Sequence, residues 1–208
     1  QLDEMFLLES ETHLITDTNR RNIIEKAVKS KNDLLIFDDG LQDKNLNYDI
    51  KIVCFNSDNL VGNGQLIPAG PLREKLNSLK KYDAVFLKNN SNNFENINKI
   101  LKRQNPNIKV FNTSYKAINI DLFNLKKKYL LFSGIGNPNS FKKILLENNI
   151  NVIEEMIFPD HFEYKKEHIK MIKLKAEKLK AEIITTEKDY VKIAKDDQIN
   201  INFLKIDL

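Results

Sequence analysis

The chain has 208 residues, is 41% hydrophobic and 30% charged, and carries a net charge of +4. That is enough for one large or two small globular domains, and a mild excess of positive charge spread along the chain gives no reason to expect nucleic acid as a partner. One cysteine, Cys54, excludes an internal disulfide or a thiolate metal cluster, and no apolar run approaches the roughly 18 residues of a membrane span.

Apolar runs of strand length are expected over 13–16, 34–37, 50–55, 84–87, 109–112, 130–133, 152–158, 182–185 and 201–206. Helical spacing of apolar residues predicts helices over 18–29, 93–103, 138–147 and 166–179, the last strongly basic. Strands alternating with helices of this length imply an α/β protein with a mostly parallel sheet. Cys54 lies inside the run Ile52-Val53-Cys54-Phe55 and is expected to pack as a small apolar side chain. The chain opens at Gln1 rather than at methionine, and so is expected to be a piece of a longer protein.

Five segments carry chemistry. In the first, Leu34-Leu35-Ile36-Phe37 runs into Asp38-Asp39-Gly40-Leu41-Gln42. A short apolar run of this kind is expected to be a strand buried on both faces, with the two carboxylates at its carboxyl end, where open α/β sheets place ligands. Adjacent carboxylates repel unless a cation or proton lies between them. A hard cation such as Mg²⁺ takes few carboxylates and completes its shell with water and phosphate oxygens. An exposed acidic turn explains the same residues equally well. The second segment is the long irregular stretch 56–71, with Gly62, Gly64 and Gly70 interleaved with Pro68 and Pro71 and followed by Arg73-Glu74. It reads as a shaped loop whose arginine can fork onto a phosphate.

The third is Phe158-Pro159-Asp160-His161-Phe162-Glu163-Tyr164, where His161 titrates nearest neutrality and can relay a proton. The fourth, Ser133-Gly134-Ile135-Gly136-Asn137-Pro138, is a glycine turn ahead of a helix, a weak anion-binding signal. The fifth is Thr185-Thr186-Glu187-Lys188-Asp189, where Thr186 can cap a short helix and Lys188 can meet a phosphate.

Taken in order, DDGLQ, GNGQLIPAGPLRE, GIGNPNSF, FPDHFEY and TTEKDYVKI resemble the tetraacyldisaccharide 4′-kinase family of lipid A biosynthesis. The resemblance covers almost the whole chain. It implies transfer of the γ-phosphate of ATP to the 4′-hydroxyl of a tetraacylated glucosamine disaccharide 1-phosphate, with Mg²⁺. It further implies a monomeric, peripheral enzyme on the cytoplasmic face of the bacterial inner membrane. The implied fold is P-loop-kinase-like: two α/β/α domains joined by a short β linker. Residues 1–49 would then form the rear of the nucleotide domain, 50–197 a lid-like second domain, and 198–208 a terminal strand returning to the first.

Asp38 and Asp39 match the family's metal-binding acids, with Gln42 beside them. Arg73 and Glu74 match the pair placed near the nucleotide, Lys188 is assigned to a phosphate, and Asp3 and His161 match a catalytic Asp–His pair. Leu2 and Met5 replace the usual flanks of Asp3-Glu4, Asp43 stands where histidine is usual, and Phe162 replaces a second histidine. No Gly-x-x-x-x-Gly-Lys-[Ser/Thr] occurs. The 208 residues alone are therefore expected to bind ATP poorly and to lack kinase activity, which measurable transfer of labelled phosphate by them would refute. Two rival readings of the residues are a metal-dependent glycosyltransferase and a non-catalytic nucleotide- or lipid-binding module.

Overall fold

The computed structural model describes residues 5, 8, 9, 12–57, 60–88 and 94–208. Asp3 lies outside the described residues, as does Glu4. The chain divides into two compact units. A middle unit is Ile36–Tyr115 with Leu208, and a flanking unit comprises Gln1–Leu35 and Lys116–Asp207.

The middle unit is built on three parallel strands, β1 (Ile52–Asn56), β2 (Ala84–Lys88) and β3 (Lys109–Thr113), in the order β1-β2-β3. A 3₁₀ turn, Leu76–Lys81, leads into β2, and a helix, Phe94–Gln104, connects β2 to β3. That helix buries Ile97 and Leu101 against Val85 and Leu87 of β2, together with Leu79 and Ile108. Its apolar residues recur at the 3.6-residue period, so one stripe faces the sheet. Cys54 is on the exposed side of β1. This corrects the expectation of a packed cysteine: within an alternating strand its neighbours Val53 and Phe55 take the packed face instead.

In the flanking unit, α1 (Arg20–Lys29) starts at Asn19, whose side chain accepts the Arg21 N–H. The helix above becomes α2. Then follow β4 (Lys116–Ala117), β5 (Lys128–Ser133), α3 (Pro138–Glu147), β6 (Asn151–Ile157), α4 (Lys166–Leu179), β7 (Glu182–Thr186), α5 (Glu187–Tyr190), β8 (Ile201–Leu204) and β9 (Ile206–Asp207). The sheet runs β6-β5-β7-β8, all parallel. Central β5 is buried on both faces. Leu130 and Phe132 pack with Ile169, Ile172 and Ala176 of α4, while Tyr129 and Leu131 pack with Phe141, Ile144 and Leu145 of α3. This is the three-layer arrangement expected of α/β units.

Three expectations change. The run 34–37 is extended but joins no described ladder, and Leu34 and Ile36 are 75% and 82% exposed. An apolar run becomes a doubly buried strand only where neighbouring strands and a covering layer flank it, and no described strand runs alongside. The run 13–16 likewise forms no strand. The expected strand 201–206 is two: β8 pairs with β7, while β9 pairs antiparallel with β4. β8 thus lies in the sheet of β5 and β7, within the flanking unit.

Candidate functional site

The acidic turn of the middle unit is shaped by its aromatic neighbours. Asp39 sits at φ 50, a left-handed conformation that aspartate tolerates better than most residues. Gly40 is buried, and a Cβ there would lie 2.8 Å from the Phe37 Cβ and 2.9 Å from the Tyr48 hydroxyl. The Tyr48 hydroxyl donates to the Gly40 carbonyl at 2.8 Å, and the Tyr48 ring meets Phe37 edge-on with centroids 5.7 Å apart. The Asp38 and Asp39 side chains thus stand exposed on a braced turn, with Gln42 also exposed beyond them. Asp38 reaches the neighbourhood of β1. The Cys54 thiol is pushed up first by partial burial and then by the Asp38 charge.

The glycine–proline loop folds on itself. The Asn63 side chain donates to the Ala69 carbonyl at 2.9 Å and accepts the Gln65 N–H at 3.1 Å. The Leu72 N–H returns to the Gln65 carbonyl and the Ile67 N–H to the Leu72 carbonyl. Gly70 leaves no room for a side chain, since a Cβ would fall 2.1 Å from the Asn63 Oδ1. The closed loop delivers Arg73 to Asp39: Nη1 lies 2.8 Å from Oδ1 and Nη2 3.1 Å from Oδ2. Two segments singled out separately in the sequence therefore meet in a two-pronged clamp. Glu74 turns elsewhere, beside the Tyr82 hydroxyl. Burial first, and Glu74 second, push that phenol up to about 12.

In the flanking unit, His161 follows β6 on a tight turn at φ 57. Its N–H points to the Gly134 carbonyl at 3.2 Å and to Asp160 Oδ1 at 3.0 Å. The imidazole Nε2 is 3.9 Å from Asp160 Oδ2, and both side chains are exposed. Thr186 caps α5 as expected, its hydroxyl accepting the Asp189 N–H at 3.0 Å. Lys188 lies half-buried on that short helix. The glycine turn Gly134–Gly136 leads into α3, where the Asn137 side chain accepts the Ser140 N–H at 3.0 Å.

The structure therefore joins Asp39 to Arg73, with Asp38 and Gln42 on the same turn, and places His161 and Lys188 in the other unit. Sequence reasoning passed over Asp189, a fully buried carboxylate that accepts the Gly134 N–H at 2.9 Å and the Thr186 hydroxyl at 2.8 Å. Lys192 Nζ lies 2.7 Å from its second oxygen. The available signal was Asp189 and Lys192 at i, i+3, but that spacing describes many solvated helix faces as well.

A family model described as tetraacyldisaccharide-1-P 4′-kinase, LpxK, matches residues 3–208. A tetraacyldisaccharide 4′-kinase of Pelagibacter ubique is 40% identical over 208 residues, covering all of this chain and 66% of that protein. One of Rickettsia bellii is 36% identical over 204 residues, covering 95% of this chain and 60% of that protein. The chain thus spans 60–66% of the length of these relatives. The crystal structure of "apo" form LpxK from Aquifex aeolicus in complex with ATP superposes with a TM-score of 0.52 at 25% identity, over 80% of this chain and 50% of that one. With matching residues from end to end and a shared α/β architecture, the chain belongs to the tetraacyldisaccharide-1-P 4′-kinase family, LpxK.

Proposed function

We propose that the full-length protein containing this chain transfers the γ-phosphate of ATP to the 4′-hydroxyl of a tetraacyldisaccharide 1-phosphate. In this reading it works as a monomer, peripheral to the cytoplasmic face of the inner membrane. No helix among the described residues is long and apolar enough to cross a membrane. The observation that carries the reading is the clamp of Arg73 on Asp39: the two most chemically pointed motifs converge within a chain that the family model matches over 3–208.

The described residues suit Mg²⁺ held largely by its substrate. Among them no group of three His, Cys, Asp or Glu side chains could enclose a metal. Two adjacent carboxylates remain, which is what a Mg²⁺ that keeps waters and phosphate oxygens requires. Asp38 and Asp39 would hold the ion, and when bound it neutralises charge on the β- and γ-phosphates. Arg73 has the planar fork for a phosphate, and an exposed pair costs little to open. Gln42 stands exposed on the same turn, and the family resemblance assigns Glu74 to the nucleotide and Lys188 of the flanking unit to a phosphate. His161 accepts the proton of the 4′-hydroxyl, with Asp3 assigned as its partner by the family resemblance alone, a step typically contributing ~10²–10⁴-fold in rate.

The test is incubation of the full-length protein with ATP, Mg²⁺ and tetraacyldisaccharide 1-phosphate. Mass spectrometry of the lipid should show 4′-phosphorylation. A folded protein that yields no phosphorylated lipid contradicts the reading.

A further inference from the structure

Asp189 closes the Thr185–Asp189 segment without a role in the proposed chemistry, yet it ties together the turn beneath His161. Its Oδ2 holds the Gly134 N–H at 2.9 Å, and the carbonyl of the same glycine faces the His161 N–H at 3.2 Å. One residue's two backbone groups thus connect the buried carboxylate to the histidine backbone. The junction has no slack. A Cβ at Gly134 would lie 3.0 Å from each of the Phe162 Cβ, the Pro159 carbonyl and the Tyr164 hydroxyl. The Tyr164 phenol is raised above its ordinary range by burial and then by the Asp189 charge beside it.

A buried ion pair is weak evidence for a role in stability, because apolar replacements of both partners are often neutral or better. What an apolar residue cannot do here is accept the Gly134 N–H. We propose that Asp189 is a positioning residue for His161: through Gly134 it fixes the turn that aims the imidazole. Lys192 Nζ stands 2.7 Å from the other carboxylate oxygen, opposite the one that holds Gly134. The inference rests on the reading of His161 as proton acceptor, and a misplacement of about 1 Å in such a group can lower turnover by ~10²-fold.

Two double variants of the full-length protein separate positioning from charge. Asp189→Asn with Lys192→Met removes both charges but keeps an oxygen for Gly134. Asp189→Leu with Lys192→Met removes the charges and the acceptor together. The Asn pair should keep kcat within about tenfold of the parent. The Leu pair should lose about 10²-fold in kcat, hold KM for ATP within about threefold, and lose the acid limb of the pH profile as His161→Ala does. The His161 imidazole resonances, identified by their loss in His161→Ala, should move in the Leu pair and stay in place in the Asn pair. Equal turnover and unmoved resonances in the Leu pair overturn the proposal, as do equal losses in both pairs. Full turnover in His161→Ala defeats the proton-acceptor reading instead, and the resonance shift then still decides the positioning claim. Should the Leu pair not fold, Asp189→Gln with Lys192→Met displaces the acceptor by one methylene and carries the same expectations.

Discussion

Asp39–Arg73 and Asp189–Lys192 are carboxylate–cation pairs of almost the same length, 2.8 and 2.7 Å, in opposite surroundings. The side chains of the first pair are 58% and 54% exposed, and those of the second 0% and 10%. Water screens the first, so the pair is worth about 1 kcal/mol or less and opens readily for a phosphate or a metal. The second has no water to fall back on, and losing one partner strands a buried charge. Separation alone says nothing about which pair is exchangeable. Burial divides them into a clamp that can be handed to a ligand and a brace that cannot.

The largest effect expected from that contrast is on stability. Lys192→Ala should lower the unfolding free energy by about 3–5 kcal/mol, read from urea denaturation, because it leaves Asp189 buried and uncompensated. A loss under about 1 kcal/mol would mean that water reaches the pair and would erase the distinction. Arg73→Ala should behave in the opposite way. Its stability should stay within about 1 kcal/mol of the parent, while turnover falls by roughly 10²-fold or more as the phosphate loses its fork of donors. Arg73→Lys should recover only part of that, since an ammonium cannot reproduce two parallel hydrogen bonds. Full activity in Arg73→Lys would show that charge alone suffices.

The smallest effect lies at high pH. Tyr82 and Tyr129 are pushed up to about 12, and Tyr164 is raised further by burial and Asp189. Their unfolded phenols titrate near 10, so the folded protein holds protons that the unfolded chain has released. Stability from these groups is complete below about pH 10 and is lost as pH climbs through about 12. Tyrosinate absorbance should show this late, unfolding-linked phase. A titration complete near pH 10 with the fold intact would contradict the buried environments.

Where a residue pattern carries its own local physics, the sequence was readable. Asn137-Pro138 caps and starts α3, and the structure begins that helix at Pro138; α4 likewise spans the anticipated Lys166–Leu179. The run 34–37 shows the opposite case. Its apolarity is plain, but whether it becomes a strand depends on neighbours that its own residues do not encode. The split between β8 and β9 was hidden because 201–206 reads as one run, while β8 pairs with the preceding strand β7 and β9 with β4, about ninety residues upstream. Asp38, Asp39 and Arg73 stood out in the sequence because paired acids suit a hard cation and an arginine fork suits a phosphate, though an exposed turn accounts for the acids as well; only the fold brings Arg73 onto Asp39. Asp189 was not, since only the fold shows that it is buried and that the N–H it receives belongs to Gly134.

The central claim is that the acidic turn holds the metal that carries the nucleotide's phosphates. Asp39→Asn in the full-length protein tests it most directly, assayed by phosphate transfer to the lipid across a Mg²⁺ titration, with thermal unfolding as the control for fold. The account predicts an unchanged unfolding midpoint and turnover reduced by about 10³-fold or more, since an amide cannot offer a hard cation its charge. Normal turnover at ordinary Mg²⁺ would contradict it.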